Sequence, residues 1–91
     1  MNLPDKIHFV GIGGIGMSGL AEFLHREGYK ISGSDIKKSK NTERLKQMGI
    51  DINYKHSTEN VSDAGMVVFS SAIPKDNPEV NRDDIPVIKR A

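Results

Sequence analysis

Ile7-His8-Phe9-Val10-Gly11-Ile12-Gly13-Gly14-Ile15-Gly16-Met17-Ser18 decides how this chain folds. Ile7 to Val10 is a short, mainly apolar run that stops at a glycine, which is the pattern of a buried strand. Four glycines then fall in six positions, Gly11 to Gly16. Met17, Leu20, Ala21 and Leu24 recur at i, i+3, i+4 and i+7, the apolar face of a helix, with Glu22, His25, Arg26 and Glu27 on the other side. Strand, glycine turn and helix in that order form the opening of a phosphate-binding βαβ unit. The first glycine allows the tight turn, the second allows close approach of a phosphate, and the third lets the helix pack near the strand. Backbone N–H groups and the helix dipole then hold anionic oxygens.

Working outward, Gly28 caps the first helix and Tyr29 to Ser34 reads as a second strand. Lys37 to Asn41 reads as a polar loop, and Thr42 to Met48 as a short helix stopped by Gly49. Ile50 to Tyr54 alternates apolar and polar, as an edge strand does. His56 to Asp63 is a polar connection with room for one helical turn, and Met66 to Phe69 is a continuous apolar run, a fully buried strand. Asn77-Pro78 predicts a helix start, and Pro86-Val87-Ile88 a fifth strand. Strands alternating with helices predict an α/β fold, a three-layer domain with a mostly parallel sheet of about five strands and helices on both faces. Residues 1–91 read as one such domain. Ending directly after a strand, they read as a piece of a longer chain.

Composition excludes several classes of function. Hydrophobic residues are 36% of the chain, too many for a disordered segment. The net charge of +1, from 13 basic and 12 acidic residues, gives no field for nucleic acid or a membrane surface. Without cysteine there is no disulfide, thiolate metal site or thiol nucleophile, which fits a reducing compartment such as the cytoplasm. No apolar run reaches membrane-spanning length and no signal peptide opens the chain. An ATP P-loop is also excluded. Met17-Ser18 stands where Lys-Ser/Thr is required, Ser34-Asp35 follows the similarly spaced Gly28 and Gly33, and no glycine follows Gly65.

The candidate site gathers at the carboxyl ends of the strands. Gly11, Gly13, Gly14, Ile15, Gly16, Met17 and Ser18 form the phosphate loop, although Met17 is equally at home in the core. Asp35 ends the second strand 19 residues after Gly16, where an acid holds ribose hydroxyls, and where a turn aspartate is also comfortable. Ser34 precedes it. Ser70, Ser71, Ala72 and Ile73 leave the buried fourth strand, and His56 follows the third on the same expected edge. His8 reads as a packed strand residue, His25 as an inert surface residue, and Lys37, Lys38 and Lys40 as a solvated group. No nucleophile–base pair, metal spacing or catalytic carboxylate pair is present, so the pattern is that of a binding module.

Ile7 to Ser18 with Ser32-Gly33-Ser34-Asp35 resembles the amino-terminal domain of the Mur ligases. Gly49-Ile50, His56, Asn60, Ser70-Ser71-Ala72-Ile73, Asp76-Asn77-Pro78-Glu79 and Pro86-Val87 extend the resemblance over nearly the whole chain. The glycine loop lacks the Cys-Thr-Phe-Met typical of the murein tripeptide-recycling relative. The resemblance implies a Rossmann-like domain that binds the UDP part of UDP-N-acetylmuramate. In the whole enzyme, it implies an ATP-dependent amide ligase of peptidoglycan synthesis, adding L-alanine to the lactyl carboxylate through an acyl phosphate. ATP and magnesium would belong to central and carboxy-terminal domains absent from this chain, leaving the piece itself without ligase activity. Gly13 to Ser18 would meet the diphosphate, Asp35 and His56 would lie by the uridine, and Ser70 to Ile73 would line the same cleft. An NAD-binding domain of a dehydrogenase, or a nucleotide-sensing module, stays open as the alternative.

Overall fold

The computed structural model describes residues 3–90. In chain order it contains β1 (Lys6–Val10), α1 (Ile15–Arg26), β2 (Lys30–Ser34), α2 (Lys40–Gln47), β3 (Asp51–Asn53), a 3-10 turn (Thr58–Val61), β4 (Met66–Ser70) and β5 (Val87–Arg90). The five strands form one sheet in the order β3-β2-β1-β4-β5, and every neighbouring pair is parallel. The chain winds outward from β1 to β3, then returns to the other side of β1 through β4 and β5. That reversal puts a topological switch point at β1 and β4, the place where open α/β sheets bind ligands.

Right-handed crossovers assign the connections to faces. One face of the sheet, with Ile7 and Phe9 of β1, Ile31 of β2 and Met66 and Val68 of β4, packs against Met17, Ala21 and Leu24 of α1 and Leu45 of α2. The opposite face, with Val10, Val67 and Phe69, packs against Val61, Ala64 and Val80. Here the expectation of helices on both faces needs correction, because the second face is covered by the 3-10 turn and the long β4–β5 connection. Asn77 does cap a turn: its Oδ1 accepts the Glu79 N–H at 2.9 Å, and its carbonyl accepts Val80 N–H at 2.9 Å. The helix stops there because Asn81 to Asp84 offer no apolar side chain to bury, and one uncovered turn does not propagate.

The strand burial follows the hydrophobic pattern. β1 and β4 are almost wholly buried, β3 is an edge strand with only Ile52 inside, and β5 is the exposed opposite edge. The start of α2 lies two residues earlier than predicted, so Lys40 and Asn41 are helical rather than looped. Ser39 caps it, with Thr42 completing a reciprocal box in place of the usual Glu or Gln. Two glycines are required by the β1–α1 turn. Gly11 has φ +79, and a Cβ on Gly33 would lie 2.4 Å from Ile12 Cδ1, so β2 must be bare where the turn crosses it.

Candidate functional site at the carboxyl edge

The β1–α1 turn lies at the carboxyl edge of the sheet between β2 and β4, as a phosphate loop should. Gly11 and Ile12 N–H both donate to the Ser34 carbonyl, at 2.8 and 3.1 Å, which fastens the loop to β2. Gly14 caps α1 without a side chain, and no acidic residue stands in the first turn. Gly14 N–H is taken by the Gly11 carbonyl and Ser18 N–H by the Gly14 carbonyl. Among the described residues, the N–H groups of Ile15, Gly16 and Met17 have no acceptor, so these three form the open end of the helix. Met17 combines both of its predicted roles, with its side chain in the core and its backbone at the open end.

Two depressions meet at Gly14. One, about 300 Å³, is lined by Gly13, Gly14, Asp35, Lys37 and Ser39. The other, about 260 Å³, is lined by Gly14 to Met17, Ser70, Ser71, Ala72 and Arg90. The structure thus brings the glycine loop, Asp35 and the loop after β4 to one edge. Ile73 turns inward, partly buried against the second core cluster, and its N–H donates to the Ser70 carbonyl at 3.0 Å.

Asp35 is more than a free acceptor. Its Oδ2 accepts Gly13 N–H at 2.9 Å and its Oδ1 accepts Lys37 N–H at 3.0 Å. A Cβ on Gly13 would therefore meet Asp35 Oδ2 at 2.8 Å and Thr42 Cγ2 at 3.0 Å. The bare second glycine makes room for the carboxylate and α2. Asn41, predicted in a loop, donates from Nδ2 to the Gly13 carbonyl at 2.9 Å. Arg90 was also missed. Its Nε would lie 3.3 Å from a Cβ on Gly16, placing the guanidinium over the first turn of α1. Only the register of β5 beside β4, Ser70 opposite Arg90, brings it there. Ile15 (90% exposed) and Ile36 (77% exposed) stand as apolar side chains in water at the same edge.

Beneath the edge, on the second face of the sheet, lies a buried polar cluster. Glu79 is fully buried. Its Oε1 accepts from His8 Nε2 at 2.7 Å and from the Ser34 hydroxyl at 2.6 Å. Its Oε2 accepts from Ser57 N–H at 2.7 Å and Asn60 Nδ2 at 2.8 Å. His8 Nδ1 pairs with Ser32 Oγ at 2.8 Å, and His56 Nδ1 with Ser34 Oγ at 2.9 Å. Burial on its own would raise the Glu79 carboxyl. The hydrogen bonds from His8, Ser34, Asn60 and Ser57 outweigh it and hold the group down to about 2. Ser34 is therefore a buried member of this cluster, and His56 joins it from the rim. No period or spacing in the sequence pointed to Glu79. His25, read as inert, donates from Nε2 to the Met48 carbonyl at 3.0 Å and ties α1 to the end of α2.

An open helix N-terminus at the switch point of a doubly wound parallel sheet, flanked by an acid and a guanidinium, makes this an α/β unit of the kind that places its ligand site at the carboxyl edge of the strands. A family model described as "Mur ligase family, catalytic domain" matches residues 6–91, and the chain belongs to the Mur ligase family. UDP-N-acetylmuramate–L-alanine ligase of Geobacter sulfurreducens is 58% identical over 90 residues, 96% of this chain and 20% of the relative. The enzyme of the same name from Aquifex aeolicus is 57% identical over 88 residues, 93% of this chain and 19% of its own. The crystal structure of UDP-N-acetylmuramate–alanine ligase from Thermotoga maritima superposes with a TM-score of 0.88 at 41% identity, over 93% of this chain and 20% of that one. UDP-N-acetylmuramate:L-alanyl-γ-D-glutamyl-meso-diaminopimelate ligase from Neisseria meningitides gives 0.81 at 25% identity, over 93% of this chain and 28% of that one. The chain spans about a fifth of the curated relatives it matches.

Proposed function

We propose that this chain is the UDP-N-acetylmuramate-binding part of an ATP-dependent ligase that adds L-alanine to that nucleotide sugar in peptidoglycan synthesis. One observation carries the proposal. The unsatisfied N–H groups of Ile15, Gly16 and Met17 lie between Asp35 on one side and Arg90 on the other. A diphosphate over Gly14 would take the three N–H donors and the guanidinium, a charge-assisted arrangement. The nucleoside would extend toward Asp35, Lys37 and Ser39, and the sugar past Ser70 to Ala72. The relatives' names supply the particular sugar and amino acid, and the glycine loop lacks the motif of the tripeptide-recycling ligase. The dinucleotide alternative gains no support from those relatives.

ATP and magnesium chemistry belongs to the remaining four-fifths of such a protein. Within this chain the residues bind and orient the substrate, and they carry out no bond-making step. Among the described residues no helix is long and apolar enough to cross a membrane, which suits an enzyme acting on a soluble nucleotide sugar in the cytoplasm. An amide-shift NMR titration with UDP-N-acetylmuramate, and separately with NAD, tests the proposal. The expected result is shifts at Gly14 to Ser18, Asp35 and Ser70 to Ala72 for the nucleotide sugar alone. Shifts for NAD alone would assign the site to a dinucleotide instead.

A further inference from the structure

The buried cluster around Glu79 dictates the chemistry of His56, which follows β3 at the carboxyl edge of the sheet. Glu79 is enclosed and surrounded by donors, so its carboxylate acts only as an acceptor. The Ser34 hydroxyl has one proton, and that proton goes to Glu79 Oε1 at 2.6 Å. Toward His56 Nδ1, 2.9 Å away, Ser34 Oγ can then only accept. The second Glu79 oxygen, 3.4 Å from the same Nδ1, also favours a proton there. In its neutral form the His56 ring must therefore carry hydrogen on Nδ1 and leave Nε2 bare. That is the reverse of a ring donating through Nε2, as His8 does to the same carboxylate. Nε2 of His56 has no partner among the described residues. Since no buried side-chain nitrogen or oxygen is left unpaired, Nε2 is open to solvent.

We propose that Glu79, acting through Ser34, is a positioning residue that locks His56 as its Nδ1–H tautomer, so that Nε2 accepts a hydrogen bond from a donor on the bound nucleoside, a ribose hydroxyl or the imide N–H of uracil. The inference rests on the nucleotide-sugar reading for its ligand but not for its tautomer. The same carboxylate joins three parts of the edge. Ser34 ends β2, His56 follows β3, and Glu79 lies on the connection that begins at Ser71. The titratable groups facing one another in this cluster are His8, His56 and Glu79.

The test is a long-range proton–nitrogen correlation spectrum of the histidines in the unliganded chain at pH 8, followed by titration. His56 is expected to show a protonated Nδ1 and a bare Nε2. A ring protonated on Nε2 in the wild type overturns the proposal without any variant. In Glu79→Gln the new amide donor is expected to move the population toward the Nε2–H form. Should that variant not fold, Ser34→Ala removes the relay while keeping the charge, and a mixture of tautomers is expected. An unchanged Nδ1–H ring in a folded variant shows that Glu79 and Ser34 are not its cause. On adding UDP, the His56 Nε2 resonance should move. Either 2′-deoxy-UDP or N3-methyl-UDP should bind about tenfold more weakly than UDP, a gap that His56→Phe closes. UDP binding without a response at Nε2 overturns the nucleoside contact alone. No UDP binding at all overturns that contact together with the proposed function, and leaves the tautomer assignment standing on its own spectrum.

Discussion

Arg90 and Asp35 bracket the glycine loop with opposite charges, and their substitutions should have different signatures. Among the described residues Arg90 makes no ion pair, and it sits at the positive end of α1, where it gains nothing electrostatically until an anion arrives. Arg90→Gln should leave the melting temperature nearly unchanged. It should weaken UDP-N-acetylmuramate binding by about 1 kcal/mol, roughly fivefold, with a shallower salt dependence, as calorimetry at two ionic strengths will show. Asp35→Ala should cost both properties, because the carboxylate holds the Gly13 and Lys37 N–H groups before any ligand binds. A stability loss of about 1–2 kcal/mol in urea, with weaker nucleotide binding, is the expected pair of outcomes. Gly13→Val meets Asp35 and Thr42 directly, so it should lower stability as well as affinity; unfolding unchanged in urea would contradict that placement.

At the scale of elements, the site depends on the start of α2, which borders it and braces its loop. Ser39 caps α2, Asn41 in its first turn holds the Gly13 carbonyl, and Tyr54 OH reaches Thr42 Oγ1 at 3.1 Å. The glycine loop is thus braced from α2 as well as from β2. Ser39→Ala should lower stability by about 1 kcal/mol and also broaden the amide resonances of Gly13 and Gly14. Sharp, unshifted loop resonances in that variant would show that the bracing comes from β2 alone. The elements themselves were largely legible in the sequence. β1, α1, β2 and β4 stood out through apolar runs or a 3.6-residue period, and Gly28 and Gly49 marked helix ends that the structure confirms with φ of +98 and +96. α2 was read two residues short because Thr42, rather than Glu or Gln, completes its box. The Asn77-Pro78 start was read as a helix because a cap signals a first turn without saying how many follow.

For the molecule as a whole, the Glu79 cluster pins the β4–β5 connection across the second face of the sheet. The hydrogen bonds from His8, Ser34, Asn60 and Ser57 hold its carboxyl down to about 2 in the folded chain, against an ordinary 4.5. A depressed acid stabilises the fold fully above about 4.5, and that contribution disappears as pH falls toward 2. The difference corresponds to about 3 kcal/mol, a large share of the stability of a chain this size. Urea midpoints measured from pH 6 down to pH 2 should therefore fall steeply below about 4.5. Glu79→Gln should start lower and lose much less over the same window.

The sequence by itself determined a mostly parallel sheet of about five strands, the glycine turn that leads from its first strand into the first helix, and the family, while the strand order came from the structure. Those follow from local pattern: apolar runs, helical period and glycines where the backbone must bend or be approached. Asp35 and Ser70 to Ala72 were placed at the site because they directly follow strands, whose carboxyl ends share one edge in a parallel sheet. Tertiary structure alone decided which distant polar groups meet. Arg90 reaches Gly16 through strand register, Asn41 reaches Gly13 through the packing of α2, and Glu79 reaches His8, Ser34 and His56 across the sheet. Such contacts leave no local trace, because a hydrogen bond between residues far apart in sequence depends on where the backbone returns, and that is set by the sum of the packing.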